Sequence, residues 1–108
     1  MTSGFKANVV FEADLPERLA AGAAIVVSCT VAPTRRSGGY RGEWTVQVVM
    51  PSGERQQLVT QRTPSEARII KTLAGLASLL SDAGCSTVNI PFRAGGGATN
   101  SIESAATS

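Results

Sequence analysis

Between Glu43 and Phe92 the chain runs through strand, turn, strand, helix and strand patterns almost without a break, and this constrains its fold more than any other feature. Trp44, Val46, Val48 and Met50 alternate with Thr45, Gln47 and Val49, the period-two signature of a strand with one buried face. Pro51-Ser52-Gly53-Glu54 places proline and glycine at turn positions, and Gln56 to Arg62 returns as the partner strand of a hairpin. Leu73, Leu76, Ala77 and Leu80 share one helical face, which predicts a helix from about Leu73 to Ala83 with Gly84 as its C-terminal cap. A strand with one apolar face and a helix with one apolar stripe each need the other for burial. The expected fold is therefore α+β, an antiparallel sheet of five or six strands with one main helix packed on one face. Val46, Val48, Leu73, Leu76 and Leu80 are expected in the shared core.

The N-terminal half adds strands. Phe5 to Ala13 is rich in β-branched and aromatic residues and reads as one. Asp14-Leu15-Pro16-Glu17 breaks it and suits a short helical turn, with Pro16 near the first helical position and Glu17 near the positive end of the helix dipole. Ala23 to Ala32 is nearly continuous in apolar residues, as in a strand covered on both faces. Pro33 to Gly42 carries three glycines, one proline and three arginines without periodicity, and is expected to be a flexible basic loop. Thr63 to Lys71 admits two readings. Thr63-Pro64-Ser65-Glu66 fits a capping box that would start the helix early; alternatively those residues are a turn, Ala67 to Lys71 is another strand, and Thr72 caps a shorter helix. Thr87 to Ile90 reads as a short closing strand ended by Pro91.

At 108 residues a single domain is expected, assigned to residues 1–92. Residues 93–108 turn small and polar, a composition that buries too little apolar area to offset an ordering cost of about 1–2 kcal/mol per residue, and are expected to form a flexible tail. No apolar run approaches the roughly 20 residues that cross a bilayer, so no membrane association is expected. Met1 to Lys6 has no charged, apolar and cleavage regions in series. A soluble, cytoplasmic protein is expected, with Cys29 and Cys85 as reduced core hydrophobes and a disulfide between them as the alternative.

The chain has no histidine, which removes the commonest general base and metal ligand and the usual partner of a serine or cysteine nucleophile. Two isolated cysteines do not complete a tetrahedral zinc site, and no cofactor, metal or small-molecule substrate is expected. Glu12, Asp14 and Glu17 cluster closely enough for carboxylate chemistry, but they also suit a solvated strand end and helix start. Gly95-Gly96-Gly97-Ala98-Thr99 lacks the lysine and following helix of a phosphate-binding loop. Cys85 follows a helix C-terminus, where the dipole disfavours a thiolate. A non-catalytic protein is expected, and a carboxylate-dependent enzyme is the lesser alternative.

Charge is unevenly spread. Residues 35–71 hold seven cations against three carboxylates, a net of +4, whereas the remainder holds three against five, a net of −2. Arginine dominates the basic part and suits planar contact with phosphate or carboxylate. Tyr40 and Trp44 lie beside the loop arginines, where aromatic rings can stack on unpaired bases, although Trp44 equally suits the core. Arg35, Arg36, Tyr40 and Arg41, with Arg55 and Arg62 of the hairpin, are the candidate nucleic-acid-binding residues. An acidic protein surface is the competing partner for the same arginines, as in an interaction or inhibitor subunit. Unguarded edge strands predict a homodimer.

The spacing Trp44-x-Val46, the Gly53 turn, Leu58, Arg68-x-x-Lys71-Thr72-Leu73-x-x-Leu76-x-x-Leu79-Leu80-x-x-Ala83-Gly84 and Val88-x-Ile90 resembles that of small plasmid-borne accessory proteins of bacteria. The resemblance covers about half the chain and carries no catalytic motif. It implies that Ala67 to Lys71 is a strand entering a capped helix, the reading preferred here, and it implies a mobile-element context without an assigned activity.

Overall fold

The computed structural model describes residues 8–102. A six-stranded sheet is covered on one face by two helices. In chain order the elements are β1 (Val9–Val10), a 3-10 turn (Glu12–Asp14), α1 (Leu15–Ala20), β2 (Ala24–Arg36), β3 (Gly39–Val49), β4 (Arg55–Leu58), β5 (Ile70–Thr72), α2 (Leu73–Ala83) and β6 (Gly97–Asn100). The strands lie in the order β1-β4-β3-β2-β6, with β5 pairing a second stretch of β3.

The hairpin of β3 and β4 forms where the alternation places it, with Val48 opposite Gln56 and Gln47 opposite Gln57. Gly53 closes its turn by donating from its amide to the Met50 carbonyl at 2.8 Å. On the inner face Ile25 faces Val48, Val27 faces Val46 and Cys29 faces Trp44, all buried. Leu76, Leu79, Leu80 and Ala83 of α2 and Leu15 and Leu19 of α1 close over them. This i, i+3, i+4, i+7 set forms the apolar stripe that α2 needs, and each fully buried leucine contributes about 1.5–3 kcal/mol. Of the expected core, Val46, Val48, Leu76 and Leu80 are fully buried and Leu73 packs at the margin. Both cysteines are buried and unpaired.

The segment before α2 is a turn and a strand. Thr63 accepts from the Glu66 amide at 3.2 Å, Ile70 pairs with Trp44, and the Thr72 hydroxyl caps α2 by accepting from the Gly75 amide at 3.0 Å. Gly84 ends the helix at φ 116°, a left-handed conformation that suits glycine. No helix among the described residues is long and apolar enough to cross a membrane.

The structure corrects the expected architecture in several places. The sheet is mixed, because β1 pairs parallel to β4. The connection from β1 to β2 carries α1 across the inner face, and a helical crossover joins strands that run the same way. Among the described residues the α-helices number two, α1 having joined the core through Leu15 and Leu19. Of the described part of the first predicted strand only Val9–Val10 pairs in the sheet, since the 3-10 turn begins at Glu12; the first three residues, Phe5 to Ala7, lie outside the described residues. Thr87 to Ile90 is not a strand. The closing strand is Gly97–Asn100, inside the segment expected to be a flexible tail, and it pairs antiparallel with Ile25–Ser28. Backbone hydrogen bonds need no apolar side chains, and β6 adds the Asn100 carboxamide, which accepts from the Asn89 amide and donates to the Asn89 carbonyl at 3.0 Å. The rest of the predicted tail beyond Ile102 lies outside the described residues.

Candidate nucleic-acid interface

The segment expected to be a flexible loop is instead the end of a β-ribbon. β2 and β3 remain paired through Thr34 with Arg41, Arg35 with Tyr40 and Arg36 with Gly39, and Ser37-Gly38 forms the tip. A glycine-containing connection of two residues is the shortest that joins antiparallel strands, and Gly39 takes φ 127°. Each backbone pair formed offsets part of the ordering cost that composition alone charges to the segment.

The ribbon is bent where it leaves the sheet. Its register shifts between Cys29 and Val31 and again between Val31 and Thr34, each time giving β2 one residue more than β3. Such bulges increase twist and re-aim side chains. Gly42 lies inside this bend, and a Cβ there would stand 2.7 Å from the Val31 carbonyl oxygen and 2.9 Å from the Pro33 Cα. Glycine is required here by close backbone approach.

Residues directly opposite in a ladder share a face, and successive residues alternate. Arg35 therefore lies beside Tyr40, while Arg36 and Arg41 belong to the other face of the ribbon. Arg35, Arg36, Tyr40 and Arg41 are all exposed. Among the described residues the one ion pair is Arg68 to Glu12, at 2.7 Å, so none of the described carboxylates pairs with the ribbon arginines. A groove of about 310 Å³, lined by Arg36, Tyr40, Arg41, Leu73, Ala74 and Ala77 among others, separates the ribbon from the first turn of α2.

The six candidate residues do not form one site. Arg55 stands opposite Val49, eight positions along β3 from Arg41, or about 27 Å at strand rise. Its guanidinium donates to the Gln47 carboxamide at 2.9 Å. Arg62 is exposed on the loop between β4 and β5, beside the hydrogen-bonded hydroxyls of Thr60 and Thr63. Trp44 is fully buried and unavailable for stacking. Sequence proximity had grouped residues that the long β3 strand separates.

The structure also supplies two residues that sequence reasoning missed. The indole of Trp44 donates to the Pro91 carbonyl at 2.8 Å, which seats the following Phe92 against Tyr40 with ring centroids 5.7 Å apart at 63°. Arg93 begins a turn in which its carbonyl accepts from Gly96 at 2.9 Å. That turn is fixed to the base of the ribbon, because Gly95 donates to the Cys29 carbonyl at 2.8 Å and Cys29 donates to the Gly96 carbonyl at 2.9 Å. An aromatic and an arginine following a proline at the edge of a small, polar stretch were the only signal in the sequence.

Two of the three clustered carboxylates have partners. Glu12 forms the ion pair with Arg68, and Asp14 accepts from the Phe11 amide at 3.2 Å. Burial raises the pKa of both thiols, and the Cys29 thiol donates to the Val31 carbonyl 3.3 Å away. No protein-family model matches this chain, and no curated protein or solved structure is significantly similar to it.

Proposed function

We propose that the protein is a non-catalytic nucleic-acid-binding module that engages the phosphate backbone with the tip of the β2–β3 ribbon. The observation that carries this reading is the exposure of Arg35, Arg36 and Arg41 on a two-stranded ribbon where none of the described carboxylates pairs with them. Guanidinium groups bind phosphate in bidentate fashion, and their release of condensed counterions gives sequence-independent affinity. Arg55 drops out of the primary site because β3 carries it elsewhere, and Arg62 lies on the separate β4–β5 loop. A mobile-element context is proposed with the same reading, on the resemblance in hydrophobic spacing alone.

A homodimer belongs to it as well. β6 pairs with β2 on one side only and contains neither charge nor proline; the Asn89 carboxamide donates to the Thr99 carbonyl at 3.1 Å, and the backbone groups that remain on that edge are offered to a second copy. Two copies joined there would present two ribbons to one strand. Light scattering that returns the dimer mass at micromolar concentration supports this arrangement; a monomer mass counts against it.

The test is oligonucleotide binding as a function of salt. Affinity is expected to fall steeply as salt rises. Arg35→Ala/Arg36→Ala is expected to weaken binding and to lower the salt slope by about one for each phosphate that is no longer neutralised. Arg55→Ala and Arg62→Ala are expected to matter less. A Kd that stays above about 100 μM at low salt is weaker than ordinary non-specific binding and would sink the nucleic-acid reading, leaving an acidic protein surface as the partner for the same arginines.

A further inference from the structure

We infer that Tyr40 and Phe92 form a stacking platform for an unpaired base, so that the preferred nucleic acid is a single strand. This rests on the ribbon reading and adds to it a ligand class and two residues, Phe92 and Arg93. Tyr40 is 37% exposed and Phe92 45% exposed, although aromatic side chains of this size ordinarily gain stability by burial. In their edge-to-face arrangement one ring presents its rim to the other, and the ring that presents its rim keeps both π-faces free of its partner. Tyr40 is held by the β3 ladder, and Phe92 follows the carbonyl that Trp44 holds. Both rings are therefore positioned before a ligand arrives, which lowers the ordering cost of binding.

Charge surrounds the platform on the appropriate side. Arg35 lies directly opposite Tyr40 and shares its face, and Arg93 is the immediate neighbour of Phe92 and exposed. A nucleotide whose base lies on a ring can thus place its phosphate within reach of a guanidinium. Bases inside a duplex are stacked on each other and present only their edges in the grooves, whereas those of a single strand are free to lie on aromatic rings. An acidic peptide would use the arginines but has no corresponding use for the open ring faces.

The deciding experiment is fluorescence anisotropy of the full chain with a labelled single strand of about twelve thymidines, a length within the usual range of such sites, and with a duplex of the same length. The single strand is expected to bind at least about tenfold more tightly, and Phe92→Leu, which keeps apolar bulk but loses the ring, is expected to weaken it about tenfold. Phe92→Trp is expected to retain affinity. A urea midpoint for Phe92→Leu near that of the parent confirms that the loss is one of binding; should the midpoint fall, Tyr40→Leu replaces it as the test. Equal affinity for duplex and single strand, or indifference to both leucine variants, overturns the platform while leaving the ribbon reading intact. Absence of binding to either oligonucleotide overturns both.

Discussion

The indole nitrogen of Trp44 donates a 2.8 Å hydrogen bond to the carbonyl oxygen of Pro91, 47 residues further along the chain. That bond ties the segment after α2 to the buried face of β3, and it sets where Phe92 meets the ribbon. Trp44→Phe keeps an aromatic core residue but leaves the Pro91 carbonyl without its donor. We expect a stability loss of about 1–3 kcal/mol, read from urea denaturation, together with weaker single-strand binding. Unchanged stability and affinity would show that the segment is held without this bond.

Asn100 is the one buried polar side chain among the described residues, and it exchanges two hydrogen bonds with the backbone of Asn89. Asn100→Leu buries an apolar group of similar size opposite Ile25 but strands both backbone groups. The expected cost is about 2–4 kcal/mol, one to two kcal/mol for each group left unpaired. Hydrogen exchange should show the Asn89 amide losing protection; an amide as slow as in the parent would contradict the clamp.

Gly42 and Gly38 provide a paired test of the bend in the ribbon. A Cβ at Gly42 meets backbone atoms at 2.7 and 2.9 Å, whereas one at Gly38 meets nothing within 4 Å. Gly42→Ala is expected to destabilise by about 1–3 kcal/mol through overpacking, and Gly38→Ala to stay within about 0.5 kcal/mol of the parent. Equal urea midpoints for the two variants would show that the bend tolerates a Cβ at Gly42.

Cys29 and Cys85 predict an alkaline loss of stability. Burial raises both pKa values, so each thiol remains protonated in the fold at pH values where the unfolded chain has ionised. The unfolded chain then binds fewer protons, and stability falls as pH rises through and beyond the ordinary thiol range. Below that range both states are protonated and the contribution disappears. Denaturation midpoints measured across alkaline pH should fall less steeply in Cys29→Ala/Cys85→Ala than in the parent, and thiol-specific reagents should label the native protein slowly. Rapid labelling of either cysteine in the native state would contradict its burial.

What the sequence determined by itself was everything that local periodicity encodes. The alternation from Trp44 to Met50, the Gly53 turn, the Leu76 and Leu80 positions of the helical stripe and its Thr72 and Gly84 caps are each legible within a dozen residues, because a strand or helix with one apolar face writes its own period into the chain. The basic and aromatic character of Arg35, Arg36, Tyr40 and Arg41 was legible in the same way. Only the tertiary structure decided the remainder, since it depends on backbone pairing between distant segments. Such pairing is nearly indifferent to side-chain type, so Gly97–Asn100 becomes a strand without a strand's composition, Val9–Val10 runs parallel to β4, and Pro33 to Gly42 becomes a ribbon. The same long-range pairing carries Arg55 away from Arg41. It also brings Phe92 to Tyr40 across 52 positions, because the bond from Trp44 to Pro91 and the turn fixed on Cys29 close a distance that no local pattern records.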